Sequence, residues 1–191
     1  MANFVTVVRE KTENGDICRV TIDNQKKLNT VNTEILNSLK NCFLELREDT
    51  NLAVVILTGA GEKAFIGGAN IEEMAALNAD TARKFITNLH EVCDAIRKLQ
   101  APVLARVNGY CLGAGMEIAA ICDLVIAEEK AEFAMPEVRV GIPSVIEAAV
   151  LPQILGTGLA RDLVLTARTM YADEAHRAGF VQRLAKNGEL D

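Results

Sequence analysis

Glu117 stands in the middle of VNGYCLGAGMEIAAICDLVIA, residues 107–127, a run otherwise built of apolar and small side chains. A glutamate in such company is set up for burial, and a buried carboxylate has either a partner or a task. LGAG, Leu112–Gly115, reads as a glycine-rich turn into a short buried helix. Glu117 then lies in the first helical turn, where the helix dipole favours negative charge. Burial raises its proton affinity toward neutrality, the range that suits general acid-base chemistry. A buried, hydrogen-bonded structural glutamate, or a salt bridge to a residue such as Arg106, is the alternative reading. A second glycine-rich loop, FIGGAN at Phe65–Asn70, also joins a strand to a helix. Two such loops, brought together, would aim main-chain N–H groups at an oxygen that gains negative charge, forming an oxyanion hole. Either loop alone serves equally as a tight turn.

A second carboxylate, Glu137, follows Pro136 in FAMPEVRVGIPS at a strand end, a position where functional side chains accumulate but solvated ones are also common. Two carboxylates and two N–H-rich loops together supply an acid, a base and an oxyanion stabiliser. No Ser or Cys has a His placed to activate it as a nucleophile. A dinucleotide-binding reading of GAGMEI fails for want of the third glycine and the later acidic residue, and no phosphate-cradling Walker motif occurs.

The elements that must position these groups follow from periodicity. FVTVVREKTENGDICRVTID predicts a hairpin, about residues 4–9 and 17–22, turning at Asn14-Gly15. Ile35, Leu36, Leu39, Phe43 and Leu46 mark an amphipathic helix capped by Asn32 or Thr33. LAVVILTG is a strand buried on both faces, which implies a mainly parallel sheet covered by helices. The helical period of Ala82 to Leu99 ends at Pro102, and VLARV begins the next strand. LVIA and EFAM read as short strands, SVIEAAVLPQIL, GLARDLVLTA and ADEAHRAG as helices, and FVQRL as a last strand. The strand-strand-helix order recurs with no low-complexity linker, so a single domain over residues 1–191 is expected.

Composition narrows the partners. Twenty-six acidic against twenty basic side chains leave a net charge of −6, which argues against a broad nucleic-acid footprint and points to a small-molecule partner. The five cysteines are odd in number and scattered without a C-x-x-C, as for core residues in a reducing compartment. His90 and His176 have no second ligand at metal-binding spacing, so no metal is expected. The N-terminus lacks an apolar signal core and no run reaches the ~18 apolar residues of a membrane span, so a cytoplasmic protein is expected, with no membrane partner.

KAFIGGANIEEM, APVLARVNGYCLGAGMEIAAICDLVIAEEKAEFAMPEVRVGIP and LTARTMYADEAHRAGFVQRL together resemble the crotonase superfamily, in its enoyl-CoA hydratase/isomerase branch. The resemblance runs from about Val5 to Leu184. It implies an α/β fold, a crotonase-like spiral of repeated ββα units, with an acyl-CoA thioester bound between them and assembly as homotrimers or hexamers. Matched position by position, Ala69 and Ala114 correspond to the two oxyanion-hole N–H donors. Glu117 and Glu137 correspond to the hydratase glutamates, Glu117 as base toward water and Glu137 as proton donor at C2. Lys26, Lys27 and Leu28 of KKLN match the segment along the CoA adenine and phosphates, and Gly67, Gly68, Asn70, Ile71 and Gly113 line the substrate loops. Asp123 is expected to be structural. No cofactor is implied, because CoA is part of the substrate.

The chain departs from the resemblance in two places. GIPSVIEAAVLPQIL stands where hydratases typically carry a glycine-rich IPGAGGTQRL segment, so Ser144 and a third acidic residue, Glu147, become candidates for the acyl pocket. The usual C-terminal helical segment is also expected to be absent, since the sequence ends at Asp191. The activity implied is hydration of a trans-2-enoyl-CoA to a 3-hydroxyacyl-CoA, as in fatty acid β-oxidation. The alternatives are double-bond isomerisation of an enoyl-CoA, which retention of Glu117 disfavours, and a catalytically impaired acyl-CoA-binding subunit.

Overall fold

The computed structural model describes residues 4–191. Its elements in chain order are β1 (Val5–Thr12), β2 (Gly15–Ile22), α1 (Thr33–Arg47), β3 (Leu52–Gly59), β4 (Ala64–Ile66), α2 (Ile71–Ala75), α3 (Ala79–Arg97), β5 (Val103–Val107) and β6 (Tyr110–Leu112). They continue with α4 (Ala114–Ile121), β7 (Leu124–Glu128), β8 (Glu132–Ala134), α5 (Leu151–Thr166), β9 (Met170–Tyr171), α6 (Ala172–Arg177) and β10 (Arg183–Ala185).

Two sheets run side by side. A six-stranded sheet has the order β1-β2-β3-β5-β7-β10 and a four-stranded sheet the order β4-β6-β8-β9. Strands β3, β5 and β7 pair in parallel, and so do β4, β6 and β8. The hairpin β1-β2 lies wholly in the larger sheet, whereas each later strand pair, β3-β4, β5-β6 and β7-β8, adds one strand to each sheet, and successive repeats stack into the expected α/β spiral of ββα units. Parallel pairing needs a crossover between neighbours, which α3 and α4 provide. It also brings the segments that follow β4, β6 and β8 out at the same end of the smaller sheet. Those segments are FIGGAN, LGAG and the Pro136–Glu137 turn.

The periodic apolar positions form the core. Ile35, Leu36, Leu39, Phe43 and Leu46 of α1 pack with Leu89, Val92, Cys93 and Ile96 of α3 and with the strands of the larger sheet in one buried cluster. Asn32 caps α1, its side chain accepting the Ile35 N–H at 2.9 Å. Asp123 ties two parallel strands together: its Oδ2 accepts the Val103 N–H at 2.7 Å and its own N–H donates to the Val103 carbonyl at 2.9 Å. It has the structural role expected of it.

Several boundaries differ from the periodicity. The hairpin turns at Glu13-Asn14, with Thr12 opposite Gly15, because Asn14 keeps a negative φ and only Gly15, at φ 113°, is left-handed. Helix α3 begins at Ala79, before the first periodic apolar residue, because Asn78 and Thr81 form a reciprocal capping box. Helix α2 and strand β9 are too short to leave a periodic signal. Ser144–Glu147 are not helical; a single 3-10 turn at Ala148–Val150 leads into α5. The last strand is Arg183–Ala185, paired with β7, while Phe180 and Val181 are buried without joining a sheet. One helical stretch, Ala148–Thr166, is long and apolar enough by length and composition to cross a membrane, although Gln153, Arg161 and Asp162 interrupt it and no run of ~18 apolar residues occurs. Gly156 inside it is non-helical at φ 73°, ψ 155°, a break that would leave main-chain groups unpaired in lipid.

Candidate active site

Glu117, Glu137 and the turn between β6 and α4 meet around Gly113. Glu117 is 3% exposed, and its N–H donates to the Gly113 carbonyl at 3.0 Å. Its Oε1 accepts two main-chain N–H groups, from Glu147 at 2.9 Å and Ala148 at 3.0 Å. Glu137, in the 3-10 turn Pro136–Val140, lies so close to Gly113 that a Cβ there would stand 2.5 Å from Oε1 of Glu137. Gly113 also holds φ 51°, a left-handed conformation suited to glycine, and its N–H donates to the Ala134 carbonyl at 2.8 Å. One glycine thus gives β8 a hydrogen bond, starts α4 and makes room for a carboxylate.

Both glutamates bind protons more tightly than ordinary carboxylates. Burial pushes Glu117 up to about 7, and the neighbouring charges of Glu137 and Glu147 push the same way, against the two N–H donors that favour its ionised form. Burial also raises Glu137, while its own N–H and the Ser144 hydroxyl, which donates to Oε2 at 3.1 Å, pull it back. The larger displacement belongs to Glu117. The charge of Glu137 is one of the influences that disfavour ionisation of Glu117, so the two carboxyls do not titrate independently. Arg106 is not a partner of Glu117; its guanidinium pairs with Asp191 at 2.8 Å. Among the described residues Glu117 forms no salt bridge, so that half of the structural alternative fails, while its two main-chain hydrogen bonds agree with the other half.

The two glycine loops also come together. Ile66 lies opposite Cys111 in the β4–β6 ladder, and a Cβ on Gly68 would lie 3.4 Å from the Leu112 carbonyl. Gly115 lets α4 press against β4, since a Cβ there would stand 2.3 Å from the Ile66 carbonyl. Among the described residues neither the Ala69 nor the Ala114 N–H donates to a main-chain carbonyl, although Val31 brackets Ala69 with hydrogen bonds to Gly68 and Asn70. Both are donors of the kind an oxyanion requires. Asn70 caps α2 by accepting the Glu73 N–H at 3.1 Å, and Ile71 is exposed.

The KKLN segment seats on the first loop. Lys26 and Lys27 lie in a 3-10 turn, Leu28 and Asn29 both have left-handed φ (54° and 55°), and the Leu28 carbonyl accepts the Gly67 N–H at 2.9 Å. Lys27 pairs with Glu72 of α2. Asn29 and Asn108 are positioning residues that the sequence reading missed. Asn29 is buried and donates to the Ala60 and Ala64 carbonyls at 3.0 and 2.8 Å; Asn108 donates to the Gly59 carbonyl at 3.0 Å. Together they hold the β3–β4 connection from which FIGGAN emerges. The only signal in the sequence was an amide beside an apolar run.

Of the two departures at 144–147, Ser144 reaches Glu137, whereas Glu147 does not point its carboxylate at the dyad. Both its oxygens are taken up by helix α3, Oε1 by His90 at 2.7 Å and Oε2 by Arg97. His176 bonds to the Val181 carbonyl at 2.8 Å. Among the described residues no group of three or more His, Cys, Asp or Glu side chains could hold a metal ion.

Comparison with known proteins matches the chain to the enoyl-CoA hydratases. The short-chain-enoyl-CoA hydratase of Clostridium acetobutylicum is 40% identical over 185 residues, covering 96% of this chain and 70% of the relative. The crotonyl-CoA hydratase of Syntrophomonas wolfei is 36% identical over 188 residues, covering 98% and 72%. Among solved structures, the crystal structure of enoyl-CoA hydratase from Bacillus anthracis superposes with a TM-score of 0.92 at 30% identity, covering 98% of this chain and 72% of that one. The model of the enoyl-CoA hydratase/isomerase family matches residues 12–190. With the spiral fold, the family model over residues 12–190 and relatives at 36–40% identity, the chain belongs to the enoyl-CoA hydratase/isomerase family.

Proposed function

We propose that this protein adds water reversibly to trans-2-enoyl-CoA thioesters, giving 3-hydroxyacyl-CoA thioesters, with no cofactor. The observation that carries the reading is the packing of Glu117 and Glu137 around Gly113, one residue before the Ala114 N–H. The names of the relatives favour short acyl chains such as crotonyl.

In this reading the thioester oxygen takes hydrogen bonds from the Ala69 and Ala114 N–H groups, with the CoA moiety along Lys26, Lys27 and Leu28 and past Gly67, Gly68, Asn70 and Ile71. As water adds at C3, electron density moves onto the thioester oxygen, and fixed N–H dipoles stabilise the resulting enolate more than the substrate. Ionised Glu117 takes a proton from the water whose oxygen bonds to C3, and protonated Glu137 delivers its proton to C2. The dyad ends with its one proton on Glu117 and returns to its starting state by exchange. The reactive form is the one with Glu117 ionised and the proton on Glu137; because burial raises Glu117 more than Glu137, it is the less populated arrangement of the singly protonated pair. Ser144 keeps the Glu137 carboxyl turned toward Gly113.

The same reading makes the protein a single-domain cytoplasmic enzyme of fatty acid β-oxidation that assembles as a homotrimer or hexamer, as the family resemblance implies. Incubation with 2-enoyl-CoA and 3-enoyl-CoA thioesters in isotopically labelled water tests the chemistry. Oxygen from water in the product is the expected result. Hydrogen label at carbon without added oxygen would make the protein a double-bond isomerase, and tight binding without reaction would make it an acyl-CoA-binding subunit.

A further inference from the structure

Glu147 buries a carboxylate, 4% exposed, in the segment that carries the chain from the Glu137 turn into α5. Among the described residues, 143–146 make no main-chain to main-chain hydrogen bond, so this segment lacks the ladder that fixes a strand or helix. Its anchor is the Glu147 side chain, held by His90 and Arg97, two turns apart on one face of α3. The same residue turns its N–H, together with that of Ala148, onto Oε1 of Glu117. A buried carboxylate without cations would be unfavourable here, whereas a paired one ties the loop to a rigid helix.

We infer that Glu147, clamped by His90 and Arg97, is a positioning residue that holds the Glu147 and Ala148 N–H groups on Glu117 and so sets where that carboxylate stands during catalysis. The inference rests on the hydratase reading for the word catalysis, though the clamp itself is a matter of geometry. Glu147 does not act on the substrate directly, because both of its oxygens are engaged by α3.

Release of the clamp has a predictable sign. The two N–H donors stabilise ionised Glu117, while the charges of Glu137 and Glu147 oppose ionisation; the Glu147 N–H is the strongest influence after burial, and the Glu147 charge the weakest. The Cys93 thiol on α3, also close to Glu117, is held protonated by burial and by both glutamates. Loss of the donors therefore raises the Glu117 midpoint even though a negative charge is removed with them.

The test uses the full chain as wild type, Glu147→Gln and the double variant His90→Gln/Arg97→Gln. The double variant changes only partly exposed side chains and so covers the case in which Glu147→Gln fails to fold. The Glu117 carboxyl is followed by carbon-13 NMR during pH titration, assigned by its disappearance in Glu117→Gln, and hydration of crotonyl-CoA is measured alongside. The expected result is an upward shift of the Glu117 midpoint by about half a unit or more in both variants. With it, kcat should fall about tenfold or more while KM stays within about threefold. An unmoved midpoint overturns the inference, including where kcat falls, since that pattern marks general destabilisation. A shifted midpoint in a protein that hydrates no enoyl-CoA, wild type included, supports the clamp and refutes the hydratase reading instead.

Discussion

A Cβ on Gly113 would stand 2.5 Å from Oε1 of Glu137, so the acid of one loop occupies the space that a side chain on another would fill. Gly113→Ala should displace that carboxyl by about an ångström and add strain at φ 51°. The expected loss in kcat is roughly 100-fold, the scale of a small misplacement of a reacting group. Gly158→Ala, where a Cβ meets nothing within 4 Å, is the matched control and should leave the rate unchanged. Steady-state kinetics on both variants decide the matter; a near-normal Gly113→Ala enzyme would separate Glu137 from the chemistry.

Glu117→Gln and Glu137→Gln should each lower kcat by at least ~100-fold while leaving binding of the CoA thioester within a few-fold, because each removes a proton-transfer group without removing bulk. Calorimetric binding beside turnover measures both quantities. A variant that retains its rate loses its assigned role.

Glu117→Gln should also stabilise the fold in a pH-dependent way. Below pH 4.5 the carboxyl is protonated in both folded and unfolded chains and contributes no pH dependence. Between the unfolded value of 4.5 and the folded value of about 7, the unfolded chain gives up the proton first, so wild-type stability falls as pH rises. Above that window the cost of ionising the buried group is on the order of 3 kcal/mol. The glutamine avoids it and keeps an oxygen for the two N–H donors. Its Tm should exceed wild type by roughly 5 °C or more at pH 8, with the difference shrinking toward pH 4. A variant less stable than wild type at pH 8 would contradict the burial argument.

Asp123→Ala should behave in the opposite manner, costing about 1–3 kcal/mol by leaving the Val103 N–H without its side-chain acceptor, yet preserving kcat in the folded protein. Chemical denaturation with activity measured at low temperature separates the two effects. A specific loss of kcat at full folding would give Asp123 a part in the chemistry.

Much of the architecture is legible along the chain because its signals are local. The apolar spacing of Ile35 to Leu46 and of Phe85 to Ile96 reflects which helix face must be buried, and the unbroken run LAVVILTG reflects a strand covered on both sides. The same logic fails where the decisive contact is distant in sequence. The start of α3 belongs to a cap at Asn78 and not to the apolar stripe, and Arg183–Ala185 becomes the last strand because β7 offers it an edge. Phe180 and Val181, the better strand formers, are buried elsewhere.

For the site, the residue types in FIGGAN, LGAGME and PE nominate two N–H-rich loops, Glu117 and Glu137, since glycine before a helix and a carboxylate in an apolar run each carry a physical meaning on their own, while the particular donors Ala69 and Ala114 come from the family resemblance. Glu147 shows the limit of that reasoning. Its charge marked it as a group that could enter the acyl pocket, but His90 and Arg97, some 50 residues away, turn its carboxylate toward α3 and leave its N–H facing Glu117. The sequence by itself determined the chemical inventory and the repeat that carries it, because both depend on residue type and short-range spacing. Only the tertiary structure decided which carboxylates stand near one another, which N–H groups remain to donate and which acid is an anchor, because proton affinity and hydrogen bonding depend on burial and on neighbours that the parallel crossovers bring in from far along the chain.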